Sequence, residues 1–218
     1  PEETSVSVRK VWTDGNNQDG LRTASITVQL YADGTEQGKA VELNEANNWS
    51  HTWTGLAKKA NKKAINYTVD EVSVPAGYSK TVTGDAATGF TVTNTHTPEV
   101  TEATIKKVWN DKDDQDGKRP ESLSVELLAD GKTTGRTFTL SAANDWSATV
   151  SNLPKKANGT EISYSWSESM PEGYSLEGSA ANGTVTTLTN RYTPEETSVS
   201  VRKVWTDGNN QDGLRTAS

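Results

Sequence analysis

The sequence predicts an all-β chain, with two antiparallel β-sandwiches in tandem followed by the first strand of a third. Three observations carry this reading. Short runs of strict alternation recur along the chain: SVSVRKVW, SITVQLYA, NWSHTWTG, INYTVDEV and GFTVTN. They are rich in Val, Thr, Ile and Trp, the residues that suit a pleated, half-buried surface. Turn signals separate them, namely TDGNNQDG, ADGTEQG, VPAGY and TGD, and several such strands in roughly 100 residues fit a two-sheet sandwich. Finally, the chain repeats itself. PEETSVSVRKVWTDGNNQDGLRTAS opens at Pro1 and again at Pro194, and a diverged copy beginning TEATIKKVWNDKDDQDGKRPES lies between. No window shows a 3.6-residue period with caps.

The repeat register divides the chain into residues 1–97, 98–193 and 194–218, the last a truncated start of a third unit, identical to 1–25. Lys10, Glu71 and Asn94 match Lys107, Glu168 and Asn190, with one residue lost between Glu71 and Pro75. The joins, THTPEV and RYTPEE, are too short for flexible tethers and predict a stiff, end-to-end array whose partners are the neighbouring repeats themselves.

Composition narrows the function. No apolar run approaches the roughly 18–20 residues that cross a bilayer, so no membrane insertion is expected. No signal-peptide pattern opens the chain, which reads as a mature or excised segment. With no Cys there are no disulfides, thiolate metal sites or cysteine nucleophiles. A net charge of −7 leaves no basic excess for nucleic acid. Two histidines, His51 and His96, leave little for metal or general-base chemistry, and no cofactor is expected.

Alternation assigns each strand residue to a face. In the first strand Val6, Val8, Lys10 and Trp12 share one face, as do Ala103, Ile105, Lys107 and Trp109. In the later strand Ile65, Tyr67, Val69 and Glu71 share a face, matched by Ile162, Tyr164, Trp166 and Glu168. In the last strand Phe90, Val92 and Asn94 do so, matched by Thr186, Leu188 and Asn190. Each unit therefore points one Lys, one Glu and one Asn into its core.

Three such groups are costly to bury unless they meet. Two arrangements satisfy them. One is an ion pair with an added hydrogen bond. The other is covalent. Burial pushes Lys toward the neutral amine, a nucleophile, and Glu toward the neutral acid, which polarises the Asn carbonyl. Attack of the amine on the carboxamide expels ammonia and leaves an amide. Glu71 and Glu168 shuttle the protons, and the fold supplies proximity and desolvation.

KVWNDKDDQDGKRPESLSVELLADG, with Y-x-W-x-E, PEGY and LTN further on, resembles the Cna B-type (collagen-adhesin B) repeat of Gram-positive surface proteins and pilins. KVWTDGNNQDGLRTASITVQLYADG, YTVDEVSVPAGY and FTVTN resemble it too, so the resemblance spans the chain. It implies an immunoglobulin-like sandwich and a self-formed Lys–Asn isopeptide bond assisted by an acidic residue. Carried onto this chain, the bonds are Lys10–Asn94 with Glu71 and Lys107–Asn190 with Glu168. Lys203 holds the same position in the third copy, with no Glu or Asn following it, and is expected to remain unpaired.

The resemblance points to a structural stalk on the bacterial cell surface, outside the cell, attached to the wall through regions absent from this segment: no LPxTG-type signal or pilin lysine motif occurs here. The competing reading is a binding module whose sandwich-end loops grip a host protein or glycan. That reading calls for aromatics on loops, whereas these aromatics lie in strands. An enzyme is not expected, because isopeptide formation is a single turnover.

Other clusters read as structural. The acidic loops Asp14–Gly20 and Asp111–Gly117 place Lys112 where an EF-hand needs a carboxylate, so they are expected to be solvated turns. KKANKK, Lys58 to Lys63, is expected to be another. Trp49, His51 and Trp53 alternate on one face, matched in the second unit by Trp146, Ala148 and Val150, and read as core packing. Asp70 and Glu71 face opposite ways, so they cannot pair for glycoside hydrolysis. For the tail, 194–218, two readings stand: strand exchange with another copy of the chain, or a loosely held segment.

Overall fold

The computed structural model describes residues 2–216, so the outermost positions of the first and third predicted units lie outside the described residues. The first unit contains β1 (Glu3–Thr13), β2 (Ser25–Ala32), β3 (Val41–Asn44), β4 (Ser50–Ala57), β5 (Tyr67–Glu71), β6 (Ser79–Asp85) and β7 (Gly89–Thr95). The second repeats the series with β8 (Val100–Asn110), β9 (Ser122–Ala129), β10 (Lys132–Ser141), β11 (Ser147–Pro154), β12 (Tyr164–Glu168), β13 (Ser175–Asn182) and β14 (Val185–Arg191). Each is a two-sheet sandwich. One sheet runs β4-β1-β7-β6, the other β3-β2-β5; in the second unit they run β11-β8-β14-β13 and β10-β9-β12. β3, β6 and their counterparts lay outside the alternating runs: β3 and β10 bury one fully enclosed leucine each, Leu43 and Leu140, β6 has no fully buried residue, and β13 is exposed throughout.

The first and last strands of each unit lie side by side and parallel, and all other pairings are antiparallel. In this register Trp12 faces Asn94 and Lys10 faces Val92, so Lys10 and Asn94 share the inward face two residues apart. The second unit has Trp109 opposite Asn190 and Lys107 opposite Leu188. The facing sheet brings Glu71 opposite Val28 on β2, and Glu168 opposite Val125 on β9.

The predicted faces are the buried ones. Val6, Val8, Val28, Leu30, Leu43, Val69, Phe90 and Val92 fill the first core, and Ile105, Leu123, Val125, Leu127, Leu140, Trp166 and Leu188 fill the second. Each such side chain contributes about 1.5–3 kcal/mol by leaving water. Trp49 and Trp146 sit in turns rather than in strands as expected, yet both pack partly buried against the cores, with Trp53 in the first unit and Ala148 in the second. The only helices among the described residues are two three-residue 3₁₀ turns, Glu45–Asn47 and Ala142–Asn144.

The acidic loops depart from expectation. They are solvated only in part: Gly15, Asn16, Lys112 and Asp113 are exposed, but Asp14, Asp19 and Asp111 are buried. Arg22 clamps Asp14 through two hydrogen bonds, Nε to Oδ2 at 3.1 Å and Nη2 to Oδ1 at 2.7 Å. The chain between them holds three successive left-handed residues, Gly15, Asn16 and Asn17, a conformation unfavourable for side-chain-bearing residues. Side chains compensate: Asn17 N–H donates to Asp14 Oδ1 and Arg22 N–H to Asn17 Oδ1, both at 2.9 Å. Alternation does not report this, because the partners sit eight residues apart in an irregular loop. The KKANKK segment is exposed, as expected.

The outer face of the first loop meets the second unit. Asp19 Oδ2 accepts from Glu99 N–H at 2.8 Å and lies 2.7 Å from His96 Nε2. Gln18 donates to Glu99 O at 2.8 Å, and Gly159 N–H donates to Gln18 O at 3.0 Å. Gly20 and Gly159 are packed so closely that a Cβ on Gly20 would lie 2.7 Å from Gly159 Cα. Residues 194–206 form no ladder, and Val199 and Val201 are almost fully exposed: a strand sequence without neighbouring strands has nothing to pair with.

Candidate functional site

The structure brings Lys10, Glu71 and Asn94 together in the first core, and Lys107, Glu168 and Asn190 in the second. Lys10 lies on β1, Asn94 on the adjacent β7, and Glu71 on the opposing sheet. All three are buried, and Asn94 and Asn190 are completely so. Lys203 stands alone in the tail, its Nζ 4.8 Å from the Trp205 ring centre.

In the first unit Asn94 Nδ2 donates to Glu71 Oε1 at 2.9 Å. Lys10 Nζ donates to Val11 O at 3.1 Å and sits 3.7 Å above the centre of the Trp12 ring. Glu71 Oε2 and Asn94 Oδ1 are buried acceptors with no donor. A proton on Glu71 would turn Oε2 into a donor and leave a carboxylic acid beside the Asn94 amide, and the electrostatics point the same way. Burial pushes the Glu71 carboxyl above the ordinary range, against the Asn94 hydrogen bond and the nearby Lys10 and Lys80 charges. Burial also lowers Lys10 to about 8, against the pull of Glu71 and Asp14.

In the second unit Lys107 Nζ lies 2.9 Å from Glu168 Oε2 and 3.2 Å from Oε1, and Asn190 Nδ2 donates to Glu168 Oε2 at 3.2 Å. Asn190 Oδ1 again has no partner. Burial lowers Lys107 despite the Glu168 charge beside it. Transfer of one proton from Lys107 to Glu168 yields the amine and acid together. The environments differ at one edge. The first site has Lys80 bonded to Asp70 and donating to Glu71 O at 3.3 Å, whereas the second has Met170 Sδ 3.5 Å from Asn190 Nδ2.

Sequence reasoning missed the aromatic roof and its fastening. Trp12 packs edge-on against Tyr78 and Trp49, with centroids 5.0 and 5.5 Å apart, and Tyr78 O–H donates to Asp14 Oδ2 at 2.8 Å. Trp109, Tyr174, Trp146 and Asp111 repeat the arrangement, with Tyr174 O–H donating at 2.9 Å. The signal was present in the shared W-x-D…R spacing, eight residues from Asp to Arg in every copy. Among the described residues no cluster of His, Asp and Glu is built to hold a metal ion, and no helix is long and apolar enough to cross a membrane.

These features define a class: tandem β-sandwich repeat modules in which neighbouring first and last strands place a lysine and an asparagine beside a buried acid. The family model of the Cna protein B-type domain matches residues 6–95 and again 103–191, and the chain belongs to that family. A collagen adhesin of Staphylococcus aureus is 47% identical over 215 residues, covering 99% of this chain and 18% of that protein. The crystal structure of two B repeat units (B1B2) of the collagen binding protein of S. aureus superposes with a TM-score of 0.79 at 46% identity, covering 99% of this chain and 56% of that one. The chain thus spans under a fifth of the length of its curated relative.

Proposed function

We propose that each unit locks itself with an isopeptide bond, Lys10 to Asn94 and Lys107 to Asn190, and that the locked units form an extracellular spacer on a Gram-positive cell surface. The observation that carries this reading is the Lys–Glu–Asn cluster buried in both cores, with the Asn amide donating to the Glu and the Asn carbonyl oxygen left without a partner.

The steps balance. Neutral Lys10 Nζ attacks Asn94 Cγ while Glu71 gives its proton to Oδ1. The resulting Glu71 carboxylate takes a proton from the attacking nitrogen and passes it to Nδ2, which leaves as ammonia. Return of the Oδ1 proton to Glu71 restores the carbonyl. One C–N bond forms and one breaks, and Glu71 ends as it began. Desolvation and fixed geometry supply what an inert amide otherwise lacks.

The spacer role follows from topology. Tension enters through β1 and leaves through the parallel β7. A Lys10–Asn94 bond carries it directly across, and the 83 residues between them are shielded, suppressing an extension of about 280 Å. The aromatics support a spacer over a loop-based binding module, since Trp12, Trp49, Trp53, Trp109 and Trp146 all pack against the cores. Intact mass tests the chemistry: two bonds remove two ammonias, about 34 Da. Glu71→Ala and Glu168→Ala are each expected to return about 17 Da. An undiminished mass would reduce the sites to buried polar clusters, an ion pair in the second unit only, and remove the mechanical basis of the spacer.

A further inference from the structure

We propose that the Asp–Arg–Tyr clasp of each acidic loop is a positioning device for the reacting lysine: Asp14, Arg22 and Tyr78 hold Trp12 as a roof on Lys10, and Asp111, Arg119 and Tyr174 hold Trp109 on Lys107. This rests on the isopeptide reading and assigns a role to residues that take no part in the bond.

The clasp has the same geometry in both units, while the lysine sits closer to the indole in the first, 3.7 Å for Lys10 against 5.2 Å for Lys107. Arg22 grips Asp14 at 2.7 and 3.1 Å, and Arg119 grips Asp111 at 2.6 and 3.0 Å. Each aspartate also accepts the tyrosine hydroxyl, and each tyrosine ring packs edge-on against the tryptophan at 5.0 Å. Each guanidinium lies over the same indole, at 5.6 and 5.9 Å. The indole is therefore held between the clasp and the lysine, where it excludes water from the amine. Its face accepts an N–H in either protonation state of Lys10.

The clasp also balances charge. The groups facing Lys10 are Glu71 from β5, Asp14 and Arg22 from the loop, and, at the edge, Asp70 with Lys80 and the Tyr78 hydroxyl. Asp14 is an anion, held at about 2 against its burial by Arg22, Asn17 and Tyr78. Alone it would favour the ammonium form of Lys10, and Arg22 opposes it.

The third copy shows that the Asp–Arg arm of the clasp closes locally. Without a sandwich, Arg215 still grips Asp207 at 2.5 and 2.7 Å, Asn210 Oδ1 still accepts from Arg215 N–H, and Trp205 lies between Lys203 and Arg215. Contacts eight residues apart form before a strand some 80 residues away can arrive. The Asp–Arg arm of the clasp and the indole can thus form around the lysine before the asparagine docks, with the tyrosine arriving later from 64 residues away.

The test follows bond formation in the full-length chain, collected unfolded from cell-free synthesis, diluted into buffers from about pH 5 to pH 9, quenched, digested and weighed unit by unit. Arg22→Gln is expected to slow ammonia loss in the first unit about tenfold, the worth of one charge-assisted hydrogen bond, and to move its pH–rate profile upward. Asp14→Asn is expected to move the profile downward, and Arg22→Lys to recover part of the rate. The second unit of the same molecules should proceed unchanged. Tyr78→Phe, which keeps the ring and loses one O–H, carries the test if Arg22→Gln does not fold. Wild-type rates in folded variants, or equal slowing without opposite displacement of the profiles, would overturn the clasp while leaving the bond intact. Absence of the 17 Da loss from both units of the unmutated chain would instead overturn the isopeptide reading itself.

Discussion

Lys10→Met isolates what the first cross-link contributes to stability. Methionine matches the length of the lysine stem and belongs in a core, while Glu71, already pushed toward its neutral acid, is left without a costly unpaired charge. The change therefore removes the bond with little else. A cross-link from Lys10 through Asn94 closes a loop of 85 residues, for which the chain-entropy relation gives about 4.6 kcal/mol at 25 °C. In a domain of this size each kcal/mol moves the midpoint by roughly 4–8 °C, so the first unit should melt roughly 20–35 °C lower. Differential scanning calorimetry on the full chain reads this directly, with the second unit as an internal reference. Glu71→Gln loses the same bond by a different side-chain change and should fall by a similar amount. If intact mass shows the bond lost in both variants while the midpoint moves by only a few degrees, loop closure is not what the bond contributes.

Three further outcomes are expected. His96 is held above its ordinary value by the Asp19 hydrogen bond and the Gly77 carbonyl; its contribution to the joint is therefore complete below about pH 6.5 and fades as pH rises through the raised folded value. Small-angle scattering should show the joint loosening over that range, and His96→Tyr, copying Tyr192, should remove the dependence. A Cβ at Gly159 would stand 3.2 Å from Gly20 Cα, so Gly159→Lys, copying Lys62 of the first unit, should change the angle between units while leaving both calorimetric transitions in place. The Asp14–Arg22 clamp has a depressed carboxyl at about 2: its contribution is present above the ordinary carboxylate range near 4 and is lost as pH falls through about 2. Near-ultraviolet dichroism of the tryptophans should therefore survive to below pH 4 and collapse only under stronger acid.

Where one face is buried and the other wet, the sequence was easy to read. Val6, Val8 and Lys10, or Phe90, Val92 and Asn94, alternate because a one-residue slip would invert the core, and that same alternation exposed the lysine, glutamate and asparagine as misfits. Ser79–Asp85 and Ser175–Asn182 were not legible, since neither strand contains a fully buried side chain. Asp14 was misread as a solvated turn residue because its partners, Arg22, Asn17 and Tyr78, are set by a left-handed turn and a distant loop rather than by a period. His96 carried no signal either: its meaning depends on Asp19, 77 residues earlier in the chain. The clasp was nonetheless written in the W-x-D…R spacing shared by all three copies, which a comparison of the repeats as loops, rather than as strands, would have brought out.

The joint between the units pairs unlike surfaces, the acidic loop of one against the base of the next. An interface of that kind does not close on itself; repeated without variation it generates a screw. The pitch would be fixed by how deeply each loop seats, and here seating is set by Gly159 lying against Gly20. At the equivalent position the first unit has Lys62, which adopts the same left-handed backbone but carries a side chain where the glycine has none. A series of such units would therefore have two kinds of step available, one tight and one propped open. The order in which they occur along the chain would set whether it coils regularly or runs straighter, with the interior of every sandwich unchanged.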